Sequence, residues 1–503
     1  MPTAPRISGP ALAALLPDIA SAPGLRYGVL AGAITALVLD GRVAPGTKLP
    51  SERELAGALG LSRTTVTTAY DELRRDGFLI SRSGAGSFVA IPGPAGADAA
   101  AARARAWEAG RGEDHERDAI WGRSAGDWAM IRKRSSSIDL TLASLPAPPR
   151  ELAEAVAAAA AELPRYALSH GYDAFGLMPL RMAVAERFSA RGVPTGPEQI
   201  LVTNGALQGL DLLLRLMVGP GDRVMTPLPT YAGALDAIRA GWGRLLPVPL
   251  AADGGWEAEQ MRATLHQSSP KLAYLIPDFH NPTGALVGDA ARAAVLAAAR
   301  DASTTVIVDE TYAGMGFVAD ATPAAAIDPD VISIGSLSKA VWGGVRIGWI
   351  RASVELVQRL AALRASIDLG GPVLDQLVGV ELVRGLDAIL ADRRRDMALR
   401  RDALLEAMAA QLPAWRPIAP DGGLSVWVEL DAPLATALTL IARSAGVIVQ
   451  PGSRFGADGT LERYLRLPFT QPPQVLTDAV ARLAQVWRGL DRGQANAGQL
   501  LVA

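Results

Sequence analysis

In the stretch "GSLSKAVWGGVRIGW", Gly335 to Trp349, one lysine stands between two serines and an arginine, directly after the apolar run "VISI". In that setting the amine of Lys339 is a candidate nucleophile toward carbonyl carbon, and Ser336, Ser338 and Arg346 are candidate anion ligands. Four more polar clusters follow apolar runs in the same way: "NGALQG" after "ILVT", "PLPTY" after "RVMT", "PDFHNPTG" after "LAYLI" and "DETY" after "TTVIV". Largely parallel sheets gather ligands at the carboxyl ends of their strands, so five such clusters make one site. An amine, hydroxyls, an arginine and a glycine turn opening a helix suit a phosphorylated carbonyl compound held as a Schiff base. Asp309 is a carboxylate able to face a ring nitrogen, and it points to pyridoxal phosphate, whose pyridinium needs an acidic partner to act as electron sink. Taken singly, Lys339 reads as a surface lysine, Asp309 as a helix cap, "NPTG" as a turn and Tyr231 as a core ring. Their joint order after strands is what is specific.

The elements that must position these residues are legible from residue 138 onward, where strand-length apolar runs alternate with Ala- and Leu-rich helical segments. This predicts an α/β domain with a largely parallel sheet covered by helices. Residues 25–89 read differently: helix, short helix, turn, helix, then two short strands around "SGAG", a winged helix-turn-helix pattern. Ser51 and Glu54 have the reciprocal capping-box spacing at the second helix, Gly60 closes it, and Ser62 caps the third. In that third helix Val66, Ala69, Tyr70 and Leu73 share one face. Arg63, Thr64 and Thr65 occupy its first turn, the end that meets base edges and phosphates in a major groove. Arg53 is offered from the helix before, and Gly84 and Gly86 allow a wing tip to approach the sugar-phosphate backbone.

Residues 93–137 lack periodicity and read as a linker; Trp107, Trp121 and Trp128 suggest that part of it docks. The expected domains are therefore a winged helix over 1–92, this linker, and a ligand-binding domain over 138–503. At 503 residues more than one core is expected. The formal charge of −2 excludes a polybasic chain, and residues 1–92 hold nine Lys/Arg against seven Asp/Glu. A local patch of +2 binds DNA weakly, so a dimer reading two half-sites is expected. The chain has no cysteine, and its four histidines, at 115, 170, 266 and 280, form no metal-ligand spacing. The "ALAALL" run near the N-terminus is broken by Pro10, Pro17 and Asp18, too short for a signal core. No apolar run approaches the roughly 18 residues of a membrane helix, and the protein reads as cytoplasmic.

Residues 138 to about 490 resemble the fold-type I aminotransferases, α/β enzymes with a smaller α+β C-terminal part. The resemblance implies that Lys339 carries the cofactor, that Asp309 pairs with its ring nitrogen, and that Asn281 and Tyr312 hold its phenolic oxygen. Tyr231 would stack on the ring. The phosphate would lie among the amides of Gly205, Ala206 and Leu207, the hydroxyls of Ser336 and Ser338, and Arg346. Arg466, in "RYLRLPF", would grip an effector carboxylate, with Arg463 a nearby competitor; Tyr172 would reach the phosphate of a neighbouring subunit, and His280 would be structural. The stretch from Gly41 to Val89 resembles the GntR family of winged-helix regulators. A winged helix followed by an aminotransferase-like domain resembles the MocR-type subfamily, which implies a head-to-tail homodimer on operator DNA with an amino acid or pyridoxal phosphate itself as effector. Where many members carry a "DDYD"-like motif, this chain has "DETY", as in working aminotransferases. A catalytically competent aminotransferase with an accessory DNA-binding domain is thus the alternative.

Overall fold

A computed structural model describes residues 6–16, 19, 26–39, 42–43, 46–75, 77–82, 86–90, 137–318, 321–457 and 460–490. The expected linker up to residue 136, its three tryptophans and Gly84 lie outside the described residues. Among those described, no helix is long and apolar enough to cross a membrane. The chain forms two compact units. One is Ile138–Ala435 with Val447–Arg488; the other is built on the winged helix and takes in Thr436–Gly446. Leu440 of that segment packs against the winged-helix core.

The winged helix consists of α1 (Gly9–Ala13), α2 (Arg26–Leu39), α3 (Glu52–Leu59) and α4 (Arg63–Arg75), then the antiparallel strands β1 (Leu79–Arg82) and β2 (Gly86–Val89). Val66, Ala69, Tyr70 and Leu73 of α4 are buried, as their spacing requires. The Tyr70 hydroxyl donates to Pro50 O at 2.9 Å. Ser51 caps α3 by accepting from Glu54 N at 3.2 Å, and Gly60 ends it at φ 63°. The capping box is only half formed. The Glu54 carboxylate accepts from Gly9 N at 2.8 Å, because the amino end of α1 offers it a donor.

The larger unit is organised by a seven-stranded sheet in the order β4-β10-β9-β8-β7-β5-β6. Its strands are β4 (Ile200–Thr203), β5 (Arg223–Leu228), β6 (Arg244–Pro249), β7 (Leu272–Leu275), β8 (Thr305–Asp309), β9 (Ile332–Ser336) and β10 (Gly348–Arg351). Alternate residues feed two cores. Leu201, Val224, Leu272, Tyr274, Ile307 and Ile334 enter one. Met225, Ala273, Leu275, Val306 and Val308 enter the other. Burial on both faces explains the nearly unbroken apolar runs. β10 alone runs antiparallel to its neighbours β4 and β9. The 11 residues between β9 and β10 are too few for a parallel crossover, so they return along the carboxyl edge and leave Lys339 there. Beyond the sheet, β11 (Arg416–Ile418), β12 (Ser425–Glu429), β14 (Gln450–Pro451) and β15 (Tyr464–Pro468) form an antiparallel sheet in the order β11-β12-β15-β14, the smaller α+β part. A short parallel pair joins β3 (Ile138–Asp139) to β13 (Val447–Ile448).

Candidate functional site

At the end of β8 the Asp309 carboxylate is 8% exposed. Its Oδ2 accepts from the Tyr274 hydroxyl at 2.7 Å and its Oδ1 from Thr311 N at 2.9 Å. Burial raises the Asp309 carboxyl above its ordinary value, while the bonds from Thr311 and Tyr274 and the charge of Lys339 pull it back down. Tyr274 is a functional neighbour that the sequence reading missed; its signal was a lone tyrosine in an otherwise aliphatic buried strand. Register places it opposite Ile307, two residues before Asp309 on the same face.

Lys339 is half-buried. Its Nζ donates to Ala143 O at 2.8 Å and lies 6.0 Å from the centre of the Tyr312 ring. The Tyr312 hydroxyl is buried without a hydrogen-bond partner among the described residues. Tyr231, at the start of helix Ala232–Ala240, is near enough to Tyr274 and Tyr312 to raise both hydroxyl pKa values further, after burial and other charges. Asn281 Oδ1 accepts from Arg466 Nη1 at 3.3 Å. Arg466, 5% exposed on β15, also donates to Gln450 Oε1 at 2.9 Å and to Thr141 O, and its guanidinium lies 4.9 Å over the Phe455 ring. Arg463 faces elsewhere, donating to Asp431 O. Thr141, Gln450 and Phe455 carry no motif signal.

Gly205 opens helix Ala206–Met217 at φ 96° with no side-chain cap. Its amide and those of Ala206 and Leu207 are therefore donors at a helix N-terminus. A Cβ at Gly205 would lie 3.1 Å from the Arg346 guanidinium, which donates to Asn204 O. Ser338 is half-buried. Ser336 is buried. Its single proton goes to Ile347 O at 2.9 Å, and its oxygen accepts from Ser338 N at 3.1 Å. Ser336 thus shapes the loop that presents Lys339. His280 is buried, bonded to Thr283 Oγ1 at 3.0 Å, and held neutral because burial pushes it down to about 3. Tyr172 is 66% exposed and stacks on His170.

An orphaned phenol beside a lysine, a buried carboxylate with its own donors, and a glycine cradle under an arginine fit the phenolic, ring-nitrogen and phosphate ends of pyridoxal phosphate.

Glu310, next to Asp309, is 6% exposed, and its nearest cation is Arg191 at 3.6 Å. Burial pushes its carboxyl from 4.5 up to about 7 against the pull of Arg191. Between those values the folded chain holds a proton that the unfolded chain has released. Stability therefore falls as pH rises through that window, by about 3 kcal/mol in all. Glu310→Gln is expected to flatten the dependence, seen as denaturation midpoints that change less than wild type between about pH 5 and about pH 7.

In the winged helix Arg53, Ser62, Arg63 and Thr64 are exposed, and Gly86 at the wing has φ 107°. Ser62 Oγ accepts from Thr65 N at 3.1 Å and shares a 2.8 Å bond with Thr65 Oγ1. These two hydroxyls stabilise the first turn of α4, which leaves Arg63 and Thr64 as its outward-facing groups.

Comparison with known proteins agrees with both halves. Residues 140–483 match the aminotransferase class I and II family, and residues 26–89 match the gntR family of bacterial regulatory proteins. The chain is 33% identical over 353 residues to 2-aminoadipate transaminase of Thermus thermophilus, covering 68% of this chain and 87% of that one. It is 30% identical over 454 residues to the HTH-type transcriptional regulator YisV of Bacillus subtilis, covering 86% and 90%. The solved α-aminoadipate aminotransferase LysN of Thermus thermophilus, complexed with N-(5'-phosphopyridoxyl)-L-leucine, superposes with a TM-score of 0.66 at 30% identity, over 71% of this chain and 93% of that one. The chain belongs to the aminotransferase class I and II family, has pyridoxal phosphate as its cofactor, and carries a GntR-family helix-turn-helix ahead of that domain in the MocR-type arrangement of transcriptional regulators.

Proposed function

We propose that this regulator binds operator DNA in the cytoplasm as a head-to-tail homodimer and senses an amino acid at its pyridoxal phosphate site. The observation that carries the reading is the Arg466–Asn281 bond, which puts a buried guanidinium beside a residue assigned to the cofactor's phenolic oxygen. When bound, pyridoxal phosphate supplies an aldehyde that condenses with amines and a ring that withdraws electrons. In this assignment Lys339 offers its amine to the aldehyde, Asp309 holds a proton at the ring nitrogen, and Asn281 and Tyr312 donate to the phenolic oxygen. Tyr231 covers the ring face. The amides of Gly205, Ala206 and Leu207, with Ser336, Ser338 and Arg346, take the phosphate. Arg466 takes a carboxylate as a bidentate pair, so a ligand with both amine and carboxylate is favoured. Pyridoxal phosphate acting as the signal itself would leave Arg466 idle.

Titrating the cofactor-loaded protein with amino acids while following absorbance and operator affinity tests the reading. Both are expected to change at the same concentrations; operator affinity that follows only the cofactor would overturn it. A working aminotransferase is the second reading, favoured by the "DETY" spacing of Asp309 and Tyr312, and repeated turnover with an amino acid and a 2-oxo acid would establish it. On the DNA side, Arg63→Ala is expected to weaken operator binding by about 1–3 kcal/mol and to relax sequence preference, measured by anisotropy. Equal weakening on scrambled DNA would reassign Arg63 to a phosphate.

A further inference from the structure

Arg74 lies near the end of α4 and, by charge alone, belongs with the cations a winged helix offers to phosphates. Its guanidinium is committed within the domain. Nε donates to Ser81 Oγ at 3.0 Å, Nη1 to Asp71 Oδ1 at 2.5 Å, and Nη2 to Glu52 Oε1 and Ser87 Oγ, both at 3.3 Å. Ser81 and Ser87 face each other across the wing, one register step from its tip pair Arg82 and Gly86. Glu52, from α3, also accepts from Thr67 Oγ1 on α4 at 3.0 Å. A single planar fork of five N–H donors therefore joins α3, α4 and both wing strands. Two carboxylates already balance its charge.

The wing needs such a tie. A two-stranded ribbon is marginal by itself. Backbone bonds hold β2 to the segment before α3, through Leu49 N to Ser87 O and Val89 N to Thr47 O. The side-chain bonds that run from α4 to the Ser81–Ser87 pair are those of Arg74. We propose that Arg74 is a positioning residue: it fixes the wing relative to the recognition helix so that both engage one duplex, and it makes no contact with DNA.

The inference rests on DNA binding by this domain. The test uses the full-length protein with its cofactor, a duplex that the wild type selects from random-sequence DNA, and a scrambled duplex, read by fluorescence anisotropy over a range of KCl. Failure of the wild type to select any duplex would sink the regulator reading itself, a result distinct from those below. Arg74→Lys keeps the charge but cannot span four acceptors. It is expected to weaken the selected duplex by about tenfold, the scale of one lost base-pair contact, and to leave scrambled DNA unchanged. Ser81→Ala with Ser87→Ala, which alters no charge, is expected to lose affinity to a similar extent, and adding Arg74→Lys to that pair should cost little more. Wild-type affinity in Arg74→Lys, as a phosphate contact would give, overturns the proposal. So does full additivity of the Arg74 and serine losses. Should Arg74→Lys fail to fold, the serine pair decides, because undiminished preference for the selected duplex in that variant also overturns it.

Discussion

Lys339→Ala is expected to leave the protein colourless and unlabelled. After incubation with pyridoxal phosphate and borohydride, the wild-type chain should gain one pyridoxyl group on the peptide containing residue 339, and the variant none. The chain has four lysines, at 48, 133, 271 and 339, so mass mapping assigns any label without ambiguity. The expectation follows from placement: Lys339 lies on the return between β9 and β10, 6.0 Å from the Tyr312 ring, and its charge acts on Asp309. Lys271, by contrast, is exposed at the opposite, amino end of β7. Removing a half-buried amine empties no core, so the variant should keep its fold and its DNA affinity without effector. Undiminished labelling of the variant would refute the assignment.

The second large effect is expected at Arg466. Alanine there removes the donors of a bidentate carboxylate pair, and hydrogen bonds to charged groups contribute about 1.5–3 kcal/mol each. The amino-acid concentration giving half the absorbance change should therefore rise by about a hundredfold or more, and the concentration that alters operator affinity should rise with it. Arg466→Lys should rescue little, since one ammonium reproduces neither the fork nor the bonds to Asn281 and Gln450. An unchanged amino-acid response in Arg466→Ala would remove Arg466 from the effector site.

Much of this was legible in the sequence alone, for physical reasons. Strands buried on both faces must be apolar throughout, and the polar clusters that interrupt them mark the carboxyl edge; that pattern located Lys339, Asp309, Asn281 and Tyr312. The buried face of α4 followed from its period, and the caps at Ser51 and Ser62 from their spacing. Contacts between residues far apart in the chain were not legible. Glu54 turns to Gly9 because α1 is folded beside it, Tyr274 meets Asp309 through strand register, and Ser336 spends its proton on Ile347 because β10 reverses direction. Arg74 looked like one more basic residue, since nothing local announces that Ser81 and Ser87 will be brought to it.

The antiparallel β10 also bears on how the chain is made. β4 is an edge strand with all four residues buried, and its one strand partner is β10, in the register Ile200 to Arg351. The ribosome must add 148 residues after Thr203 before Arg351 exists, roughly 7–30 s at ordinary synthesis rates. Through that interval "ILVT" has no strand to pair with, while the winged helix, whose core draws largely on the first 90 residues, already has most of its contacts. A nascent chain thus acquires most of its DNA-reading part well before its ligand-sensing part, and during the gap its exposed edge is a natural client for chaperones.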